Sequence, residues 1–232
     1  MIPLLWLGCA LPASDIILSG QVLTGQESGL GAADVLVSIR NAETKPHDEV
    51  TTDQDGLFEI EVPASNVYHM TLSGTDIAPT AFSGIVGQSD VAIPEDELFV
   101  RTEAQVTGLR AEFDSCATAE DEGGVVEGIV RFHLQDTDDG SFLVAPQASV
   151  TVYNNDGVEF TACYLDEDGI SLEDGEEVGT TGRFAVFGVP EGPTTVLFQQ
   201  EIGGMTIKNY GFVYMPDQGI APFYPAFVDL AG

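Results

Sequence analysis

Residues 51–63, TTDQDGLFEIEVP, contain the pattern from which the fold is predicted. Phe58, Ile60 and Val62 alternate with glutamates, and this spacing is typical of a β-strand that buries one face. Residues 53–56, just before that strand, combine two aspartates with a glycine, which is typical of a tight turn. The stretch therefore predicts a turn that leads directly into a half-buried strand.

The same pattern occurs a second time in the chain. Residues 180–192, TTGRFAVFGVPEG, repeat the order of two threonines, a glycine, a phenylalanine, alternating apolar residues and Val-Pro. Each copy follows two shorter apolar segments, which are residues 19–23 and 33–41 before the first copy and residues 126–132 and 148–155 before the second. An internal repeat of this kind predicts two copies of one supersecondary unit.

A calcium loop is the alternative interpretation of residues 53–56. With Gly56 in the glycine position of an EF-hand loop, the first ligand position falls on Thr51 and the last on Val62, and neither residue suits calcium. The second copy of the motif lacks both aspartates. The repeat therefore favours a turn, and no metal ligand is predicted.

Composition indicates the fold class. The chain has 232 residues, 26 glycines, 12 prolines and a hydrophobic fraction of 44%, and few of its segments have long helical spacing. Many short strands joined by turns are therefore expected. Because the length suits two domains of about 100 residues each, the prediction is an all-β protein with two domains.

The two motifs, each downstream of a G-x-V strand and a V-x-V strand, resemble the carboxypeptidase regulatory-like domain, a transthyretin-like (prealbumin-like) β-sandwich. The resemblance covers residues 16–75 and 124–215. We therefore expect two Ig-like, transthyretin-like β-sandwich domains, at 15–92 and 124–232, joined by a short helix and linker at 93–123. Members of that family are usually accessory, non-catalytic modules attached to enzymes, receptors or surface lipoproteins, so the resemblance implies an architecture and no reaction.

Residues 93–123 contain the best helix candidate in the chain. Pro94 suits the first position of a helix, acidic residues follow it, and Gly108 suits the exit. The spacing predicts a short helix between the two domains, and an extended strand is the alternative. Residues 115–124 are predicted to be a linker.

Acidic residues dominate the charge of the chain. There are 38 Asp and Glu against 7 Lys and Arg, for a net charge of -31, which repels nucleic-acid phosphates and anionic lipid headgroups. No nucleic-acid partner is therefore expected. The acidic insertion at 154–179, within the second domain, is predicted to be a solvated loop, with a cation-binding loop as the alternative.

Residues 1–14 contain an apolar run that ends in Leu7-Gly8-Cys9 and then becomes polar. This ending resembles that of a bacterial lipoprotein signal peptide, in which the cysteine is lipidated. The resemblance implies an exported lipoprotein that is anchored to the membrane through a lipid on Cys9, in the periplasm or on the cell surface. A first β-strand with a buried cysteine is the alternative.

Sequence motifs for catalysis or cofactor binding are not found. The three histidines, His47, His69 and His133, are far apart and lack zinc-ligand spacing, and His69 and His133 are expected to face solvent because their neighbours are apolar. There is no G-x-S-x-G elbow, P-loop or dinucleotide-binding glycine motif. No catalytic residue and no cofactor is predicted, and a glycosidase that uses two of the many carboxylates is the alternative.

Aromatic residues are concentrated in residues 209–230. Tyr210, Phe212 and Tyr214 alternate along one predicted strand and are expected to form a core face, with an exposed platform for sugar rings as the alternative. The expected function is a non-enzymatic binding or structural module at the cell envelope, whose partner is an envelope protein or a glycan. A carbohydrate-binding accessory module or a carbohydrate-active enzyme is the alternative.

Cys116 and Cys163 are the two cysteines that remain when Cys9 is assigned to the lipid. In an oxidising compartment they are predicted to form a disulfide, with two reduced, buried thiols as the alternative.

The predicted disulfide closes a loop of about 48 residues, and the chain-entropy relation gives it a stabilising effect of ~4 kcal/mol. Mass spectrometry of the unreduced, exported protein is expected to find Cys116 and Cys163 in one linked peptide pair. Free thiols at both positions would contradict the prediction.

Overall fold

The computed structural model describes most of the chain as strands. The described residues are 15–26, 28–95, 97–113, 122–133, 143–144, 148–165, 171–172, 181–202 and 204–229. Cys9, Cys116 and the predicted signal segment 1–14 lie outside them. The first half of the molecule is defined below as residues 15–113 and the second half as residues 122–229.

The first half forms two sheets that enclose an apolar core. Its elements are β1 (Asp15–Leu23), β2 (Leu36–Asn41), β3 (Pro46–Thr51), β4 (Leu57–Pro63), β5 (Val67–Gly74), β6 (Ile77–Ile85), β7 (Val91–Ala92), β8 (Leu98–Phe99), β9 (Arg101–Thr102) and α1 (Glu103–Glu112). In one sheet, β1 pairs antiparallel with β4 and parallel with β7 and β8. The facing sheet runs in the order β6-β5-β2-β3.

The second half also forms two sheets around a core. Its strands are β10 (Gly124–His133), β11 (Leu143–Val144), β12 (Ala148–Asn154), β13 (Glu159–Thr161), β14 (Cys163–Leu165), β15 (Ser171–Leu172), β16 (Arg183–Val189), β17 (Gly192–Ile202), β18 (Met205–Met215) and β19 (Ile220–Asp229). One sheet has the order β15-β14-β16-β10-β19, and the other has the order β13-β12-β17-β18. The described chain is therefore an all-β architecture of packed sheets with one short helix.

Both halves use the same pattern of strand pairing. The antiparallel pairs β1 with β4, β2 with β5, and β5 with β6 in the first half correspond to β10 with β16, β12 with β17, and β17 with β18 in the second. Each G-x-V strand also has a parallel neighbour, which is β7 for β1 and β19 for β10. The repeat in the sequence thus corresponds to a repeat in topology, whereas the family assignment and the division into domains remain predictions.

Residues 53–56 form a turn, as predicted. The Asp53 carboxylate accepts hydrogen bonds from the backbone N–H groups of Asp55 and Leu57, both at 2.9 Å. Gly56 has a φ of +77°, a conformation that glycine adopts at low cost. The strand that follows, β4, alternates buried apolar residues with exposed glutamates.

The second threonine of each motif copy connects its turn to a neighbouring segment through a hydrogen bond. Thr52 Oγ1 donates a hydrogen bond to the carbonyl of Ala32 at 2.7 Å and accepts one from the N–H of Val35 at 3.0 Å. In the second half, Thr181 Oγ1 donates to the carbonyl of Leu165 at 2.6 Å. The threonine of the motif therefore has a structural role in both copies.

The helix begins later than predicted. Pro94 starts no helix, because Leu98 and Phe99 pair with β1 and are buried. Helix α1 begins after Thr102, whose hydroxyl accepts the N–H of Gln105 at 3.2 Å while the Gln105 side chain accepts the N–H of Thr102 at 2.8 Å. This reciprocal capping box determines the true start, and the predicted exit residue Gly108 lies inside the helix.

The acidic insertion at 154–179 is not a loop throughout. Its residues 159–165 form β13 and β14, and Cys163, Tyr164 and Leu165 are buried. The Tyr164 hydroxyl accepts the N–H of Val150 at 2.9 Å. The apolar residues of β14 and its pairing with β16 make this segment a strand, although the insertion as a whole is acidic. Residues 166–170 and 173–179 lie outside the described residues.

The two halves share a sheet as well as the connecting helix. Strands β6 and β19 pair in parallel at Thr80 and Ile220, so one sheet continues from β15 in the second half to β3 in the first. Helix α1 covers this junction, because Leu109 and Phe113 are buried with Ile220 and Phe187 in one apolar cluster.

Arginine side chains connect the halves around α1. Arg101 Nε and Nη2 both contact Glu127 Oε1 at 3.0 Å, and the two side chains are only 19% and 4% exposed. Arg183 forms a two-pronged ion pair with Glu112, and Arg110 donates to the carbonyl of Gly123 at 3.1 Å. Three of the 7 Lys and Arg residues therefore serve this one junction.

Removal of one partner from the buried pair is expected to destabilise the protein. Glu127→Ala leaves the Arg101 charge buried without its carboxylate, and we expect the free energy of unfolding to fall by about 3 kcal/mol. Urea unfolding followed by circular dichroism measures the change. The double variant Arg101→Met, Glu127→Leu is expected to recover most of the loss.

The matched control is Glu43→Ala, which breaks an exposed ion pair with Lys45 whose side chains are 71% and 70% exposed. This variant is expected to unfold at the wild-type urea concentration. A Glu127→Ala protein as stable as the control would contradict the role of the buried pair.

Candidate binding cleft

Strand β18 exposes its aromatic residues. Val213 and Met215 face the core and are buried, whereas Tyr210 is 52% exposed and Phe212 is 58% exposed. The expectation that Tyr210, Phe212 and Tyr214 form a core face is therefore wrong. Both phases of this strand carry apolar residues, so its periodicity is ambiguous, and the pairing with β17 decides which phase is buried.

Strand register adds a further ring to the same outward face. Tyr153 on β12 lies opposite Thr195 on β17, which lies opposite Phe212 on β18. With strands about 5 Å apart and residues on one face about 7 Å apart along a strand, the backbone positions of Tyr153 and Tyr210 lie roughly 10 Å and 7 Å from that of Phe212. We call Tyr153, Tyr210, Phe212 and Tyr214 the aromatic face.

A cleft lies between the aromatic face and the first half. Its volume is about 830 Å³, within the range of small-molecule sites. The described residues that line it include the start of β5, the β2–β3 hairpin end, the β12–β13 hairpin end and the start of β17: Ala42, Glu43, Thr44, Val67, His69, Asn154, Asn155, Pro193, Thr194, Thr195, Phe212 and Val213. Equivalent segments of the two halves thus face each other across the cleft.

The two hairpin ends that form the rim are held in the same way. The Asn41 side-chain oxygen accepts the N–H groups of Glu43 at 3.0 Å and Lys45 at 3.1 Å. The Asn154 side-chain oxygen accepts the N–H groups of Asp156 at 3.0 Å and Val158 at 2.9 Å. These bonds order both hairpin ends, so the rim is preorganised before any ligand arrives.

Tyr214 joins the halves beside the cleft. The Arg40 guanidinium of β2 lies 4.6 Å from the centroid of the Tyr214 ring, a cation–π distance. The Tyr214 hydroxyl donates to Glu191 Oε1 at 2.9 Å. Burial and this hydrogen bond raise the pKa of Tyr214. Tyr214 is therefore committed to the junction, and Tyr210 and Phe212 are the exposed rings.

His69 lines the cleft but is only 8% exposed, so the expectation that it faces solvent is wrong. The second half covers it, with the Tyr214 ring centroid 6.4 Å away. Its Nδ1 forms a hydrogen bond with Ser83 Oγ at 2.7 Å. Burial lowers the pKa of His69, and the Arg40 guanidinium lowers it further. His69 is therefore a neutral wall of the cleft at pH 7.

The site residues predicted from sequence lie away from this cleft or outside the described residues. Cys163 is buried at the start of β14, and because Cys116 is not described, their disulfide remains a prediction, as does lipidation of Cys9. Within the described ranges, no group of three His, Cys, Asp or Glu side chains could hold a metal ion. No helix among them is long and apolar enough to cross a membrane.

No protein-family model and no curated protein matches the chain. Similar solved structures include the Bacillus anthracis TIE protein, with 13% identity, a TM-score of 0.30 and coverage of 93% of this chain but only 34% of that one. The minor pilin GBS52 from Streptococcus agalactiae has 10% identity, a TM-score of 0.34 and coverage of 92% and 95%. The shaft pilin SpaA from Lactobacillus rhamnosus GG has 11% identity, a TM-score of 0.27 and coverage of 91% and 97%. Likeness at this level does not indicate a function.

The buried His69 is expected to make stability depend on pH. An unfolded chain takes up a proton near the ordinary pKa of 6.5, whereas the folded protein takes it up only at lower pH. This contribution to the free energy of unfolding is therefore complete above about pH 6.5 and is lost as the pH falls toward the lowered pKa.

Urea unfolding at about pH 7.5 and about pH 5.5 measures this loss. His69→Gln keeps a polar side chain of similar size without the titration, so its stability is expected to fall less between the two conditions than that of the wild type. Equal losses for both proteins would show that His69 does not contribute.

Proposed function

We propose that this protein is an exported, non-enzymatic binding module of the cell envelope, anchored through Cys9, which uses the cleft and the aromatic face to hold its partner. The observation that carries the proposal is the pair of exposed rings, Tyr210 and Phe212, at the mouth of a preorganised cleft. Aromatic rings of this size are normally buried, and exposed ones beside a concave surface are characteristic of binding sites.

The side chains in the cleft support binding over hydrolysis. Of the described residues that line it, only Glu43 carries a carboxylate, whereas glycoside hydrolysis uses two. Glu43 is also paired with Lys45 at 2.6 Å, an interaction that lowers the pKa of Glu43, whereas a general acid needs a raised pKa. His69 is hydrogen-bonded to Ser83 and largely covered.

The rigid junction between the halves also favours a binding or structural role. Strand pairing at Thr80 and Ile220 and the Arg101–Glu127 ion pair hold the cleft walls together. A binding surface that is rigid before contact loses little conformational entropy on binding. The net charge of -31 repels the anionic headgroups of a membrane. A protein with this charge therefore needs a covalent lipid to stay at the membrane, which agrees with the proposed anchor on Cys9.

The anchor is tested with a clickable fatty-acid analogue fed to cells that produce the full chain. We expect the wild type to be labelled and to sediment with membranes, and Cys9→Ala to be unlabelled and to remain in the soluble fraction. Leu57→Ala, a change to an exposed side chain on β4, is the control that should keep the label. Equal labelling of wild type and Cys9→Ala would refute the lipid anchor.

A further inference from the structure

We infer that the cleft and the aromatic face bind a neutral polysaccharide chain, with Phe212 and Tyr210 stacked against successive sugar rings. The inference rests on the proposed binding function and names the class of ligand. It depends on the two exposed rings, on the polar residues of the cleft, on the charge of the cleft, and on the position of Tyr210 beyond it.

Phe212 and Tyr210 supply a flat apolar surface. Phe212 lines the cleft and is 58% exposed, and Tyr210 is 52% exposed two residues away on the same face of β18. A pyranose ring presents C–H groups on its faces and hydroxyl groups around its edge. An exposed aromatic ring fixed on a strand matches the apolar faces of such a ligand, and covering it removes apolar area from water.

Polar residues line the same cleft as Phe212. The hydroxyls of Thr44 and Thr195, the amide of Asn155 and the carboxylate of Glu43 line the same cleft. Together they include hydrogen-bond donors and acceptors, and sugar hydroxyls act as both. The Thr44 hydroxyl already donates to the Glu43 carbonyl at 2.7 Å and Glu43 is paired with Lys45 at 2.6 Å. A purely apolar ligand would still remove the polar groups of Thr195 and Asn155 from water, which is unfavourable.

The charge around the cleft selects against anions. None of the described residues that line it is Lys or Arg. Of the nearby cations, Lys45 is paired with Glu43 at 2.6 Å and Arg40 lies on the Tyr214 ring at 4.6 Å. Lys208 is exposed on β18, two residues beyond Tyr210 and outside the cleft. With a net charge of -31 over the chain, a polyanion is repelled at long range. These charges favour a neutral ligand over a polyanion.

The exposed aromatic surface continues along β18 beyond the cleft, from Phe212 to Tyr210. Tyr210 does not line the cleft but lies roughly 7 Å beyond Phe212 on the same face. Leu197 on β17 lies directly opposite Tyr210 and adds an apolar side chain beside it. A single sugar in the cleft would leave the outer ring uncovered, whereas an oligosaccharide that leaves the cleft along the strand covers both rings.

An array of neutral and anionic glycans probed with the full-length protein tests the ligand class. The neutral set includes cello-, xylo-, manno-, malto- and chito-oligosaccharides, and the anionic set includes polygalacturonate and heparin. We expect binding to at least one neutral series, stronger for hexasaccharides than for disaccharides, and none to the anionic set. Calorimetry with the best neutral hexasaccharide then gives the affinity.

Variants locate the site. Phe212→Ala and Tyr210→Ala are each expected to weaken binding about tenfold, and Phe212→Tyr to retain it because the ring remains. Leu57→Ala is the control, because Leu57 is also an exposed apolar side chain but lies on β4, away from the cleft. Both ring residues are exposed, so thermal unfolding of all variants is expected to match that of the wild type.

No binding to any neutral glycan, or equal binding by Phe212→Ala and wild type, would overturn the inference. In that case fatty-acid labelling of Cys9 and a tenfold weaker capture of envelope protein by Phe212→Ala would still support the binding function with another ligand. Release of new reducing ends from a bound glycan would instead refute the non-enzymatic function itself.

Discussion

The buried ion pair between Arg101 and Glu127 constrains how the two halves join, because neither charge can lose its partner without a cost in stability. Glu127 lies within a sheet of the second half, and the guanidinium from β9 of the first half offsets the cost of removing its charge from water. Arginine keeps its charge at any ordinary pH. The chain has 38 Asp and Glu residues but only 7 Lys and Arg residues. Because three of the arginines lie at this junction, few basic side chains remain for the outer surface, which is strongly acidic.

The cleft lies between the two halves that this junction joins. Its walls are the starts of β5 and β17, which are equivalent strands, and hairpin ends that Asn41 and Asn154 close with the same pattern of hydrogen bonds. Beside the cleft, the Arg40 guanidinium packs on Tyr214. The duplicated unit therefore supplies two similar walls, and the concave surface belongs to neither half alone.

Local physical chemistry made part of the structure predictable from sequence. Phe58, Ile60 and Val62 occupy a single phase of β4, so their alternation fixed both the strand and the buried face. Asp53 reaches backbone N–H groups two and four residues ahead, so the turn needed no distant partner. The recurrence of the motif likewise predicted the recurrence of strand pairing, because the same local pattern folds into the same unit.

The cleft could not be predicted from the sequence, because contacts with distant segments of the chain determine where its residues lie. In β18 both phases carry apolar residues, and pairing with β17 places Val213 opposite the buried Thr194, so that Val213 is buried while Phe212 is exposed. Leu98 and Phe99 have a helix-compatible pattern, yet pairing with β1 makes them a strand. Composition, turns and single-phase strands were therefore determined by the sequence alone, whereas the exposed rings, the buried ion pair and the cleft were decided by tertiary structure, because each depends on contacts between distant segments.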